Sequence, residues 1–371
     1  MEKNEKITYN YKNQKKALMD IVFIAHNTHQ EDYFKLLEKN LPFSSKTIRA
    51  KFSLCNAPKI DLSKKFEELN NKYSGLKLEL YKKYLQMESR LIYCEYKKII
   101  EKHNPKLIGI WNGIKYPQFI INEFNIKKIY FENGFLPDTT QADCKGVNAL
   151  NSVPRDKKFY ENLEYYKKPL PKELIPRAPV KRIEGNELDL NRKYIFIPLQ
   201  VNYDSQIIYF SPWIKSMQQF FEVINSIANE FEFDFIFKAH PSDRVTNYEN
   251  LIKKAEKNVH FATNPTSELI KNAQAVITIN SSVGIESLLF EKKVITLGEA
   301  FYNIEGIVKH AENSKELIGT LKNLDSWEVD KKLIKNFLGY LYYEYLIPKS
   351  WKNPDNKHFE KLTNRISQCL R

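Results

Sequence analysis

Residues 275–302 read Ala-Val-Ile-Thr-Ile-Asn-Ser-Ser-Val-Gly-Ile-Glu-Ser-Leu-Leu-Phe-Glu-Lys-Lys-Val-Ile-Thr-Leu-Gly-Glu-Ala-Phe-Tyr. A short β-branched run opens the stretch, its middle has helical character, and a second apolar run closes at Gly298, which together predict a β-α-β unit. Asn280, Ser281 and Ser282 then fall where a buried strand meets a helix N-terminus, the position at which open α/β sheets bind ligands. Backbone N–H groups and the positive end of the helix dipole converge there, and two serine hydroxyls add donors for a phosphate. Glu286 follows Ser282 by about one helical turn, so it can face the same crevice and accept from ribose hydroxyls. An N-cap serine pair followed by a solvated glutamate accounts for the same spacing, because serine is a preferred cap.

Outward from this unit, composition sets the frame. The 371 residues are 42% hydrophobic and 13% aromatic, enough for a large core in two or three domains. Lysine and arginine exceed aspartate and glutamate by 58 − 45 = 13, so nucleic acid, anionic lipid headgroups and phosphorylated substrates all suit the surface, although the charges are scattered and a plain solvated lysine-rich surface explains them equally. Cys55, Cys94, Cys144 and Cys369 have neither paired nor metal-ligand spacing, so no disulfide framework and no zinc site are expected, and the expected compartment is reducing. No apolar run approaches the ~20 residues that span a bilayer, and residues 1–16 lack a signal-like apolar segment. A cytoplasmic protein, at most peripheral to a membrane, is expected.

Along the chain, strands are expected at 20–25, near 47–52, at 106–113 and at 127–131, alternating with helices at 30–39, over 63–103 with a break near Ser74 and Gly75, and at 117–125. Residues 137–154 read as a long polar loop, and a loop of that length is usually functional or disordered, its apolar and amide-bearing residues favouring the former. Four prolines among charges mark 169–191 as an interdomain linker. A second alternating block starts at Lys193, with strands at 194–200, 233–238 and 259–261 and a helix at 212–230, before the Ala275 unit. The aromatic face of 329–347 is expected to pack across both blocks. The predicted division is 1–185, 186–325 and 326–371.

Three further groups sit at strand ends. His240 follows Lys238 and precedes Pro241, Asp204 lies in Gln-Val-Asn-Tyr-Asp-Ser-Gln after the strand at 194–200, and Glu132 ends the strand at 127–131. Each has an ordinary alternative: a turn histidine, an aspartate N-cap, a turn glutamate.

Lys-Ala-His-Pro at 238–241, Asn-Ser-Ser-Val-Gly-Ile-Glu-Ser-Leu-Leu-Phe from 280, Ile-Pro-Leu-Gln-Val-Asn-Tyr-Asp-Ser-Gln-Ile from 197 and the segment 132–155 together resemble the bacterial capsule polysaccharide biosynthesis family. Within it the likeness is to β-Kdo glycosyltransferases that use CMP-Kdo, and the His-Pro and Ser-Ser pairs are also similar to motifs of bacterial sialyltransferases. The resemblance implies a GT-B-like α/β architecture, two facing Rossmann-like domains with a C-terminal helix crossing back. It implies donor binding by Lys238, His240, Pro241, Asn280, Ser281, Ser282, Gly284 and Glu286, with Asp204, Glu132 and His240 catalytic. Retention at the anomeric carbon follows from it too, with Asp204 preferred over Glu132 as nucleophile. A CMP-sugar donor, a glycolipid or polysaccharide acceptor and possible contact with an anionic inner membrane are the implied partners, and nucleic acid is not among them. No Asp-x-Asp occurs, so donor binding without metal and without any other cofactor is expected. A CMP-sialic acid or other nucleotide-sugar transferase, and a non-catalytic export or assembly subunit, remain as alternatives.

Overall fold

The computed structural model describes residues 18–70, 73–171, 185–202, 204–243 and 246–371. In the first half, strands β1 (Met19–Ala25), β2 (Ser45–Arg49), β3 (Pro105–Trp111) and β4 (Lys127–Asn133) pair in parallel, and β5 (Thr139–Asp143) pairs antiparallel to β4. In the second half, β6 (Tyr194–Pro198), β7 (Asp234–Lys238), β8 (Val259–Phe261), β9 (Ala275–Thr278), β10 (Lys293–Thr296) and β11 (Lys309–His310) are all parallel, in the order β11-β10-β9-β6-β7-β8. Strand order reverses between β6 and β9, and the crevice of a doubly wound sheet opens at that reversal. Runs such as Phe-Ile-Phe in β7 are apolar throughout because helices cover both faces of the sheet.

The helices are α1 (Thr28–Asn40), α2 (Ser63–Asn70), α3 (Gly75–His103), α4 (Lys157–Glu161), α5 (Ser205–Phe210), α6 (Met217–Ala228), α7 (Tyr248–Lys253), α8 (Thr266–Asn272), α9 (Ser282–Leu289), α10 (Ser314–Lys322), α11 (Lys331–Tyr340) and α12 (Asn356–Leu370). Helix α11 and a following π-helical turn, Leu341–Tyr345, pack into one cluster with Phe135, Leu136 and Tyr160 from the first half and Ile285, Leu288 and Phe301 from the second. The chain then returns to the first sheet: β12 (Ile347–Pro348) pairs antiparallel with β5, and α12 lays Leu362 and Ile366 against Phe23, Leu107 and Phe131. The architecture is GT-B-like, two facing α/β sheets with a C-terminal helix crossing back.

Several expectations are corrected. The supposed loop 137–154 contains β5, whose Thr-Thr-Gln-Ala-Asp sequence lacks an alternating apolar pattern and is a strand because β4 and β12 pair with it on either side. The helix expected at 212–230 covers only Met217–Ala228 and starts on the Ser216 cap, whose hydroxyl accepts the Gln219 N–H. The one expected at 117–125 is a 3-10 turn, Gln118–Glu123, and the weak strand near 47–52 lies at Ser45–Arg49. Of the linker at 169–191, residues 172–184 lie outside the described residues. The cysteines are paired, Cys55 with Cys94 and Cys144 with Cys369, at Cα separations of 5.4 and 5.7 Å across 39 and 225 residues. Neither spacing is a motif, because the fold brings the partners together. Pairing removes the support that unpaired cysteines gave to a reducing compartment. Among the described residues no helix is long and apolar enough to cross a membrane.

Candidate functional site

The C-terminal ends of both sheets open onto one cleft of ≈ 800 Å³. On the second-sheet side, the turn from β9 into α9 carries Asn280, Ser281 and Ser282. Asn280 is buried and latches the switch point: Gln200 Nε2, just after β6, donates to its Oδ1 at 3.1 Å, and its own amide donates to the carbonyls of Gln206 (2.9 Å) and Phe210 (3.0 Å). Ser281 caps α9, its Oγ accepting the Val283 N–H at 3.2 Å. The cap uses an oxygen lone pair, so the hydroxyl hydrogen of Ser281 is left for an anion. Buried Tyr302 donates its hydroxyl to Ser281 O at 2.6 Å, and burial pushes its phenol far above the ordinary value, so it stays a donor. Ser282, Ile285 and Glu286 line the cleft from the first turns of α9.

His240 and Pro241 enter the same wall from the end of β7. The Ser242 N–H donates to His240 Nδ1 at 3.1 Å, so the neutral ring carries its hydrogen on Nε2. Asp204 caps α5, a six-residue helix, its Oδ1 accepting the Gln206 N–H (3.1 Å) and the Ser205 hydroxyl (3.3 Å).

From the first sheet, Glu132 at the end of β4 faces the cleft with both carboxylate oxygens engaged. Asn112 Nδ2 donates to Oε2 at 2.6 Å, and the Asn133 N–H and side-chain amide both donate to Oε1 at 3.0 Å. Asn112 is buried, follows β3, and sits at φ +63, a left-handed conformation that asparagine tolerates. Its Oδ1 accepts the N–H groups of Ile114 and Lys115, which turns the chain so that Lys115 lines the cleft. Lys115 Nζ lies 3.8 Å from Asp204 Oδ1. Phe135 packs on Phe301 with ring centroids 4.3 Å apart, and the Arg155 guanidinium sits over Phe301 while donating to Ala149 O and Asn151 O, which ties segment 146–155 to the opposite half.

Asp204, Glu132, His240, Pro241, Asn280, Ser281, Ser282 and Glu286 are thus brought together. Lys238 and Gly284 are not among the residues lining the cleft. The Lys238 ammonium donates to Thr263 O and Asn264 O beside β8, and the residue is 9% exposed, so it anchors the sheet edge and is corrected as a phosphate ligand. Gly284 serves packing: a Cβ there would stand 2.5 Å from the Tyr302 hydroxyl. Sequence reasoning missed Asn112, Lys115, Gln200 and Tyr302. The Asn-Gly pair at 112–113, directly after a strand, was the available signal for the first two.

Residues 161–344 match the model of the family described as capsule polysaccharide biosynthesis protein. Protein FixF of Sinorhizobium fredii (strain NBRC 101917 / NGR234) is 36% identical, the match covering 71% of this chain and 65% of that protein. The capsule polysaccharide export protein KpsS of Escherichia coli is 28% identical over 58% of this chain and 70% of its own length. Among solved structures, the β-Kdo 2,7 transferase part of Thermosulfurimonas dismutans KpsC superposes with a TM-score of 0.50 at 17% identity, covering 95% of this chain and 100% of that one, which is a likeness of fold. The chain spans just under two thirds of the length of FixF. Through residues 161–344, just under half of its length, the chain is similar to the capsule polysaccharide biosynthesis family.

Proposed function

We propose that the chain is a retaining glycosyltransferase that moves Kdo from CMP-Kdo to a glycolipid or polysaccharide acceptor in surface polysaccharide assembly. One observation carries the reading: two carboxylates, Asp204 and Glu132, face a single cleft from opposite sheets, and the N-terminus of α9 and His240 stand on the Asp204 side. The α9 N–H groups, the Ser281 and Ser282 hydroxyls and His240 Nε2–H hold the one phosphate of the donor, and Glu286 accepts from its ribose. No metal is required in this scheme, because a phosphodiester carries a single negative charge that these donors meet. Asp204 attacks the anomeric carbon, the bond from that carbon to the phosphate oxygen breaks, and CMP leaves with the bonding pair as a phosphate dianion that the His240 Nε2–H steadies by a hydrogen bond. An acceptor hydroxyl then loses its proton to Glu132 and attacks the same carbon, the bond to Asp204 breaks, and two inversions give net retention.

Lys115 has a specific part here. The attacked carbon of an ulosonic acid itself bears a carboxylate, so an anionic nucleophile approaches against like charge, and the Lys115 ammonium beside Asp204 offsets that repulsion. A nucleotide donor places the reaction in the cytoplasm, at the inner membrane where the acceptor is a glycolipid.

Asp204→Asn separates this role from plain capping, since asparagine caps a helix as well as aspartate does. Transfer is expected to vanish while CMP binding and the urea midpoint stay at wild-type values, and intact-mass analysis of the wild type with CMP-Kdo and no acceptor should show a sugar adduct on the Asp204 peptide. An adduct on Glu132 would reverse the two roles. Turnover of CMP-sialic acid in place of CMP-Kdo would replace the donor, and no turnover of either would leave a binding or export subunit.

A further inference from the structure

Helix α3 buries Leu85, Ile92, Tyr96 and Ile99 against the first sheet, yet its opposite side is not polar. Leu76, Leu80 and Met87 are 77%, 58% and 56% exposed, and with half-buried Leu91 they occupy an arc of about 60° on the helix at 100° per residue. The stripe continues beyond Leu91 on another segment. Ser53 N–H donates to Leu91 O at 3.3 Å and Cys55 is bonded to Cys94, which sets Phe52 (59% exposed) and Leu54 (89%) beside the same face. From Leu76 to Cys94 the helix rises about 27 Å at 1.5 Å per residue.

Basic side chains border this apolar strip. Lys83 and Arg90 lie along one margin, Lys77 along the other, and Lys51 adjoins Phe52, all of them exposed. The neighbouring acids are partly offset: Glu79 pairs with Lys82 at 3.1 Å, and Glu88 accepts from the Tyr84 and Tyr116 hydroxyls at 2.9 and 2.6 Å. A long exposed apolar strip with lysines on its margins and tyrosine at its edge is the pattern of a surface lying in a bilayer interface, its apolar side chains among the acyl chains and its ammonium groups on the headgroups. A soluble protein partner meets these cations only where it carries a carboxylate in register, whereas anionic headgroups supply a counter-charge at every point of the strip. Tyr116, held by Glu88 of this helix, is the residue next to Lys115, so the surface adjoins the first-sheet wall of the cleft.

We infer that the outer face of α3, with residues 51–54, is a docking surface for an anionic lipid bilayer, and that it sets the cleft facing a membrane-held acceptor. The docking does not depend on which sugar is transferred. The test is co-sedimentation of the full chain with vesicles of phosphatidylglycerol and phosphatidylcholine, against vesicles of phosphatidylcholine alone. Binding is expected to the mixed vesicles, to fall about tenfold or more in Leu76→Ser/Leu80→Ser/Met87→Ser, and to weaken about fivefold per charge removed in Lys77→Gln/Lys83→Gln/Arg90→Gln. All six side chains lie outside the cleft, so urea midpoints and turnover with a water-soluble acceptor should be unchanged in both variants. Failure of the wild type to bind, equal binding by the apolar variant, or conversion of a wild-type dimer to a monomer by that variant would overturn the inference, the last by showing a second copy on the strip.

Discussion

Lys115 Nζ stands 3.8 Å from Asp204 Oδ1, the cation on the turn after β3 and the carboxylate at the start of α5, so the pair joins the two sheets across the mouth of the cleft. Both side chains are partly in water, where such a pair contributes little to stability. Its effect should appear in catalysis. Lys115→Gln is expected to lower kcat on CMP-Kdo about a hundredfold with the urea midpoint unchanged, and Lys115→Arg to restore most of it. A glutamine variant that turns over at the wild-type rate removes Lys115 from the chemistry.

Asn112 keeps Glu132 in place through a neutral amide 2.6 Å from its carboxylate. Asn112→Asp retains the shape, the left-handed backbone and the loop acceptor, but sets a second carboxylate against the first. Two such groups do not both ionise readily, so one must titrate higher. The acidic limb of the kcat/KM profile is expected to move up by about one unit or more, and a limb that stays put shows that Glu132 does not take the acceptor proton.

Gly284→Ala drives a methyl group toward the Tyr302 hydroxyl and loosens its bond to Ser281 O. The turn that presents Ser281 and Ser282 shifts with it. Donor KM should rise about tenfold with a smaller change in kcat, measured by steady-state kinetics, because the substitution perturbs the phosphate cradle and leaves the carboxylates in place.

Donor use without metal predicts full transfer in EDTA. Loss of activity in the chelator with recovery on adding magnesium or manganese would show that the α9 N-terminus and His240 do not by themselves meet the phosphate charge.

Burial, and secondarily the positive charge of Arg49, push the His26 imidazole from 6.5 down to about 4, where it contacts the buried Tyr96 hydroxyl. The folded state keeps His26 neutral, whereas the unfolded chain takes up a proton below 6.5. Stability from this group is therefore full above that value and is lost as pH falls toward 4. Burial pushes His358 down as well, so it acts in the same direction. The urea midpoint should decline between pH 6.5 and 4, and His26→Gln should flatten the decline in part without abolishing it.

Much of this architecture was legible because its signals are local. The 275–302 unit alternates apolar runs with a helix over a span in which periodicity speaks clearly, and β9, α9 and β10 lie where it put them. β5 was missed because its strand character comes from two partners, one of them 207 positions away, and not from its own residues. Lys238 misled for a related reason: a strand end identifies the edge of the sheet, but which way the last side chain turns depends on the neighbouring strand, and β8 offers it two carbonyls. The crevice position and the N-cap, alternatives for Asp204 in the sequence, occur together in the structure, and its cationic neighbour escaped notice because Lys115 lies in the other half of the chain, 89 positions upstream.

The return of the chain to the first sheet has a consequence for how the molecule is made. β12 supplies that sheet's edge, α12 covers Phe23, Leu107 and Phe131, and the Cys144–Cys369 bond closes a separation of 225 residues. A ribosome delivers the first five strands long before the segment that finishes them, so this half waits with an open edge and an uncovered apolar face while the second sheet, whose strands all come from residues 194–310, can close on its own. The half made first is therefore the half completed last, and a chaperone that shields exposed apolar surface has its longest opportunity on residues 19–143.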